Sequence, residues 1–232
     1  MAAKRKTRVW LRGAGAVLLL GAAVLGAGWW HMRGWTPPRA VFPVQGAQIG
    51  ARDGLVDWKA LKAIGADFVY LDASAGAFAR DQAFVENFEA ARAAKLQVGA
   101  VHRYDPCQPA ERQAANFVTI VPRDARLLPP AIALDDLADT CPVRVGEAAV
   151  ESELTTFLNE IETHTGKAAL LKLSPAFEAR YHLAARLDRN LWLTRTRFQP
   201  GYAGRPWSLW TATDRLHTHA GEDAIRWIVV QP

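Results

Sequence analysis

No acidic residue precedes Asp53, whereas Lys4, Arg5, Lys6, Arg8 and Arg12 crowd the N-terminus. Five of the 28 basic residues lie in that tail, which leaves 23 bases against 23 acids over the rest of the chain. The net charge of +5 is therefore the tail's, and no basic stripe of the kind nucleic-acid binding needs is present. No nucleic-acid partner is expected. P-loop, dinucleotide-binding glycine and nucleophile-elbow patterns are also missing, as are internal repeats and low-complexity segments. His102 has no second His or Cys at ligand spacing, and His217 and His219, near Glu222 and Asp223, are only a weak alternative. Neither a metal nor a cofactor is expected.

The longest charge-free stretch runs from Gly13 to Trp30. It is just long enough to cross a bilayer, basic residues precede it, and Trp29-Trp30 close it where an aromatic belt belongs. The expectation is a cytoplasmic tail over 1–12, a single transmembrane anchor over 13–32, a linker over 33–43 and an exported domain over 44–232. This places the protein in the inner (cytoplasmic) membrane, N-terminus inside, with its domain on the periplasmic side and the membrane as one partner. A cleaved signal peptide is the alternative, disfavoured by the lack of a clear A-x-A site. In an oxidising compartment Cys107 and Cys141 are expected to form a disulfide, whereas two buried thiols would suit a cytosolic chain.

Beyond the linker, strand-like and helical periods alternate. Strand patterns fall at 47–49, 68–71, 97–101, 131–134, 168–173, 191–193, 208–210 and 225–230. Helical patterns at 58–64, 80–95, 110–120, 147–165 and 175–187 separate the first six. Five βα units followed by three strands predict an α/β fold, a parallel TIM-like barrel with an incomplete helical ring. Chemistry in such barrels sits at the C-terminal ends of the strands. The residues there are Gln48, Asp72, His102, Arg103, Tyr104, Asp135, Asp136, Lys172, Thr194 and Thr211.

Asp135 and Asp136 follow a buried apolar run, where carboxylates are costly without a task. They are the candidate catalytic acids, with Asp72 as the other strand-end carboxylate. Neighbours on a strand face opposite ways, so only one of the pair can face the barrel mouth. Gln48, Asp72, His102, Tyr104, Trp192 and Trp210 are candidate ligand-binding residues. For His102 a structural hydrogen bond is the better-supported reading, and the tryptophans could equally be core, the commoner fate of Trp at strand positions.

These segments resemble glycoside hydrolase family 25, the Chalaropsis-type muramidases. The likeness lies in GAQIGARDGLVDW (46–58), FVYLDASAG (68–76), FVENFEAARAAKLQVGAVH (84–102), CQPAERQAANF (107–117), LPPAIALD (128–135) and RPWSLW (205–210). It implies a barrel of the kind read above, acting on peptidoglycan glycan strands after N-acetylmuramic acid. The family's catalytic pattern is not kept. Gln48 stands for its first Asp, Ala75 for the Glu of A-T-E-G, and Ala133 and Asp135 for the Asp and Glu of its central D-x-E. A two-residue slip would instead pair that motif with Asp135 and Leu137. Three functions are thus expected in competition: a non-hydrolytic glycan-binding or scaffolding domain, a residual glycosidase using Asp135, and a module binding a protein partner in the envelope. An open aromatic groove favours the first two; one plugged by Arg103 and Lys172 favours the third.

Overall fold

The computed structural model describes residues 21–30 and 32–232. The expected tail 1–12 and the first part of the expected span 13–32 lie outside the described residues. Residues 21–30 are helical, and among the described residues no helix is long and apolar enough to cross a membrane. Thr36–Pro232 forms a separate compact unit. It begins before the end of the expected linker, because Phe42 packs on Trp207 and Trp210 and the Gln45 side-chain amide donates to the carbonyls of Pro37 and Phe42.

Eight strands close into a barrel: β1 (Gln45–Ile49), β2 (Phe68–Ala75), β4 (Gln97–Arg103), β5 (Ala131–Leu134), β6 (Leu170–Leu173), β7 (Leu191–Thr194), β8 (Leu209–Leu216) and β9 (Ile225–Val230). A two-residue strand, β3 (Ala79–Arg80), adds a hairpin to the end of β2. The helices are α1 (Trp58–Ala63), α2 (Phe84–Ala93), α3 (Ala110–Ile120), α4 (Glu147–Thr165) and α5 (Pro175–Tyr181). Local chemistry sets their ends. The Asp57 carboxylate caps α1 by accepting from the amides of Lys59 and Ala60. Ser174 caps α5, with Pro175 at its first position. Gly166, left-handed at φ 69°, stops α4.

One expectation needs correction. The barrel is not all-parallel: β9 runs antiparallel to both β8 and β1. The connection from β8 to β9 holds no helix, and an antiparallel neighbour needs no crossover.

Side-chain parity fixes the inside. Phe68, Tyr70, Val101, Ala131, Ala133, Leu170, Trp192, Leu209 and Ile228 form the interior cluster. Gly99 gives the Tyr70 ring its room, since a Cβ there would overlap the ring. The alternate residues, among them Leu71, Ile132, Leu134, Leu171 and Leu193, are fully buried on the outer face. No helix follows β7 or β8, and the aromatic group Phe42, Trp207 and Trp210 stands there instead.

Candidate functional site

The same parity carries polar residues to the mouth, the end where the parallel strands finish. Two residues beyond Gly46, Tyr70, Leu170 and (on the reversed β9) before Ile228 come Gln48, Asp72, Lys172 and Arg226. They form one chain of contacts. Lys172 Nζ donates to Gln48 Oε1 at 2.6 Å, and Gln48 Nε2 donates to Asp72 Oδ1 at 2.6 Å. Arg226 Nη2 donates to Asp72 Oδ2 at 3.0 Å and to Asp53 Oδ2 at 2.6 Å. Gln48 is thus oriented by a cation at its oxygen and an anion at its nitrogen. A carboxylate in its place would face Asp72 with like charge.

Burial pushes the Lys172 ammonium down to about 8; Asp135 and Asp72 oppose that fall, and Arg226 and Arg52 add to it. Its Nζ lies 4.9 Å from the centre of the Trp192 ring. For Asp72, burial alone would raise the carboxyl. Arg226, the Gln48 hydrogen bond and Lys172 outweigh it and hold the group below its ordinary value. Asp72 is therefore a fixed anion, not a proton donor at neutral pH.

Above this floor lies a cleft of about 590 Å³ whose walls include Gln48, Asp72, Ala75, Ala133, Asp135 and Lys172. Ala75 arrives there through a bulge in β2. The register shifts between Asp72 and Ser74, pairing Ser74 with His102 and Ala75 with Arg103. Every position at which the resemblance expects a carboxylate (48, 75, 133 and 135) lines this cleft, and Leu137 does not, in keeping with the ungapped register. Only Asp135 among the four is an acid. It is exposed and makes no side-chain hydrogen bond among the described residues.

The remaining candidates lie elsewhere. Asp136 is held by Arg103, whose Nε and Nη2 donate to its two oxygens at 2.8 and 2.6 Å. His102 is fully buried on the outer side of the wall, against Phe117 and Phe157, because its neighbours Val101 and Arg103 take the inner side. Its Nδ1 pairs with Ser74 Oγ at 2.8 Å and its Nε2 with Gln113 Oε1 at 3.3 Å. Burial lowers it to about 4, against the Gln113 contact, so the ring is neutral and structural. Tyr104 is buried against Phe157. Trp192 fills the barrel and donates Nε1–H to Thr211 Oγ1 at 2.8 Å. Trp210 is outside the wall, donating to the Arg195 carbonyl at 2.7 Å. His102, Tyr104, Trp192 and Trp210 thus do not line the cleft, and the aromatic platform expected from them is absent from its walls. Cys107 and Cys141 are bridged, tying the segment after β4 to the one after β5.

Arg52, Arg80 and Arg226 also line the cleft, and sequence reading missed all three. Arg226 carried a signal, as a lone charge in the apolar run Ile225–Val230. It was overlooked because β9 reverses direction, so its first residues, not its last, reach the mouth.

The sequence pattern of "Glycosyl hydrolases family 25" matches residues 49–220. No protein of curated function matches the sequence. Among solved structures, the fold is similar to a family 25 glycosyl hydrolase from Bacillus anthracis (TM-score 0.77, 24% identity, 86% of this chain and 93% of that one). It is also similar to the bacterial lysozyme of Streptomyces coelicolor (TM-score 0.71, 18% identity, 82% and 92%) and to the family 25 lysozyme of Aspergillus fumigatus (TM-score 0.69, 20% identity, 82% and 94%). With well over half its length matched, the chain belongs to glycosyl hydrolase family 25, and its fold is that of the family's lysozymes.

Proposed function

We propose that this protein is a non-hydrolysing member of its family, a domain that holds a peptidoglycan strand in the cleft without cleaving it. The observation that carries the reading is the state of the cleft's carboxylates. Glycosidic hydrolysis uses two, one of them a proton donor. Asp72 is kept ionised by Arg226, Gln48 and Lys172. The Asp81 oxygens accept from the amides of Ala51 and Ala83, and Asp136, which does not line the cleft, is bound to Arg103. Asp135 stands alone, a methylene shorter than the Glu its position implies. Each missing acid–base group costs roughly 10²–10⁴ in rate, so little turnover is left. The cleft itself is open; Lys172 forms its floor, and Arg103, which also lines it, is drawn aside to Asp136, so neither plugs it.

Location belongs to the same proposal. The basic tail, the uncharged run 13–30 and the bridged cysteines support an exported domain tethered at the inner membrane, next to the wall it would bind. Weak contacts then act at high effective concentration.

The full-length protein, incubated with insoluble peptidoglycan, tests this in one mixture. The expected result is co-sedimentation with no release of reducing ends. Hydrolysis at an ordinary enzymatic rate that Asp135→Asn abolishes would establish the residual glycosidase instead. Protein that stays in the supernatant at every concentration would leave the partner-binding module.

A further inference from the structure

The even balance of acids and bases beyond the tail conceals a division that only the fold makes. The base of the barrel, the end opposite the cleft, is closed by residues 36–44, 60–67, 90–96, 117–130, 162–169, 187–190, 203–208 and 231–232. These segments hold nine bases against four acids, whereas the rest of Thr36–Pro232 holds 13 bases against 19 acids. Contacts join the base into one surface around the sheet. Arg39, before β1, pairs with Asp67, before β2, at 3.0 Å. Lys62 Nζ donates to the Lys95 carbonyl, before β4, at 2.7 Å. Arg92 reaches Asp124, before β5, at 3.0 Å. Lys167 Nζ, before β6, donates to the Ala125 carbonyl at 2.8 Å, and Arg189, before β7, pairs with Glu162 at 2.6 Å. Three of the four acids are thereby spent on arginines of the same face. Among the described residues no carboxylate pairs with Lys62, Lys95, Arg123 or Lys167. Lys62, Lys95 and Arg123 are exposed, and so are Val41 and Val44 on the segment before β1. Such a face is complementary to an anionic interface.

Chain connectivity says which interface. Thr36 enters at this base, and five residues separate it from Trp30, the end of the uncharged run. A tether at Trp30 holds Thr36 within about 20 Å of it. We propose that the base of the barrel is a second membrane contact, in which Lys62, Lys95, Arg123 and Lys167 seat the domain on anionic phospholipid headgroups with Val41 and Val44 against the interface. This rests on the tethered location proposed above and goes beyond it, since a tether alone leaves the barrel free to tumble. Headgroup attraction to Lys and Arg acts over about a Debye length, ~8 Å at physiological ionic strength, so only a seated base gains it.

Hydrogen exchange of the full-length protein, reconstituted into vesicles of phosphatidylcholine alone or with about one-third phosphatidylglycerol, tests the proposal. Resistance to carbonate extraction reports the tether separately. Expected in the anionic vesicles is at least about fivefold slower amide exchange over 90–96 and 117–130, with 50–57 and 195–206 at the mouth unchanged. The double variant Lys95→Glu/Arg123→Glu, altered at two exposed sites, should lose the difference with an unchanged melting temperature, and about 1 M salt should do the same to the wild type. Equal exchange in both lipids, or a difference that survives the charge reversal, would overturn the inference while leaving the tether in place. Equal slowing by soluble polyphosphate in neutral vesicles would also overturn it and assign the face to an anionic polymer. Extraction by carbonate would sink the tether. Flotation of the protein with preformed anionic vesicles and not with neutral ones would then still support the base contact, and any other flotation pattern would remove it.

Discussion

Two polar clusters sit on opposite sides of the same barrel wall, and they are built differently. On the outer side, Ser74, His102, Gln113 and Asp105 form a closed set. His102 uses both ring nitrogens, and the Gln113 amide meets the Asp105 backbone through both of its ends. On the inner side, Lys172, Gln48, Asp72, Arg226 and Asp53 form an open set whose carboxylates are saturated and whose cations are not. A finished network under helices serves the fold. An unfinished one under a cleft is what the proposed ligand would complete. Burial alone does not separate them, because His102 and Lys172 are both buried.

The strongest way to sharpen this contrast is the disulfide. It closes a loop of sequence separation 34 and holds the segment carrying Asp105, which the outer cluster uses. Removing it as Cys107→Ala/Cys141→Ala should cost about 3–4 kcal/mol by loop-closure entropy, read as a lower midpoint in chemical denaturation. A shift below about 1 kcal/mol would mean that the outer cluster stands without its roof.

Next in size is His102→Ala, which leaves the buried Ser74 hydroxyl without its partner and opens a cavity against Phe157. About 3 kcal/mol of stability should go, with glycan binding unchanged in the fraction that stays folded. Lys172→Met should do the reverse, losing binding at a stability cost of about 1 kcal/mol, that of the Gln48 Oε1 hydrogen bond it gives up offset by removal of a buried charge. If both variants behave alike in both measurements, the comparison fails.

Acid offers a third probe. His102 is lowered to about 4 against an unfolded value near 6.5. Between these values the unfolded chain takes up a proton that the folded one refuses, so stability is full above about pH 6.5 and falls towards pH 4, by about 3 kcal/mol. Lys172 has the same sign at higher pH. The fold gains stability as pH rises from about 8 towards 10.5, while ligand binding weakens over that range as the ammonium is lost. The His102→Ala variant should lack the acid step and keep the alkaline one, as urea titrations at several pH values would record.

The smallest effect belongs to the Arg103–Asp136 pair. Both side chains are substantially exposed, so Asp136→Asn should change stability by less than about 1 kcal/mol and leave glycan binding unaltered. A larger loss would promote the rim to part of the site.

Much of this molecule could be read from its residues. The strand 131–134 and the helices 110–120 and 147–165 fall where apolar periodicity puts them. The mouth's ring of Gln48, Asp72 and Asp135 followed from strand ends alone. What failed were matters of facing and direction. Periodicity locates a strand without saying which parity looks inward, so His102 and Trp210 were placed on the wrong side of the wall. It cannot show that β9 turns back, which hid Arg226, nor that a bulge after Asp72 swaps sides and delivers Ala75 to the cleft. Trp210 was misplaced for a related reason. Where helices are missing, a sheet's outer face still needs a cover, and aromatic side chains supply it.

The reversal of β9 also decides how the barrel can be held. β1 starts, and β9 ends, at the face opposite the cleft, where the Val230 amide donates to the Val44 carbonyl. Both strands of attachment therefore leave from the base. A tether, fusion partner or solid support joined at either end of the barrel would grip it like the stem of a cup, with the opening turned outward and unobstructed.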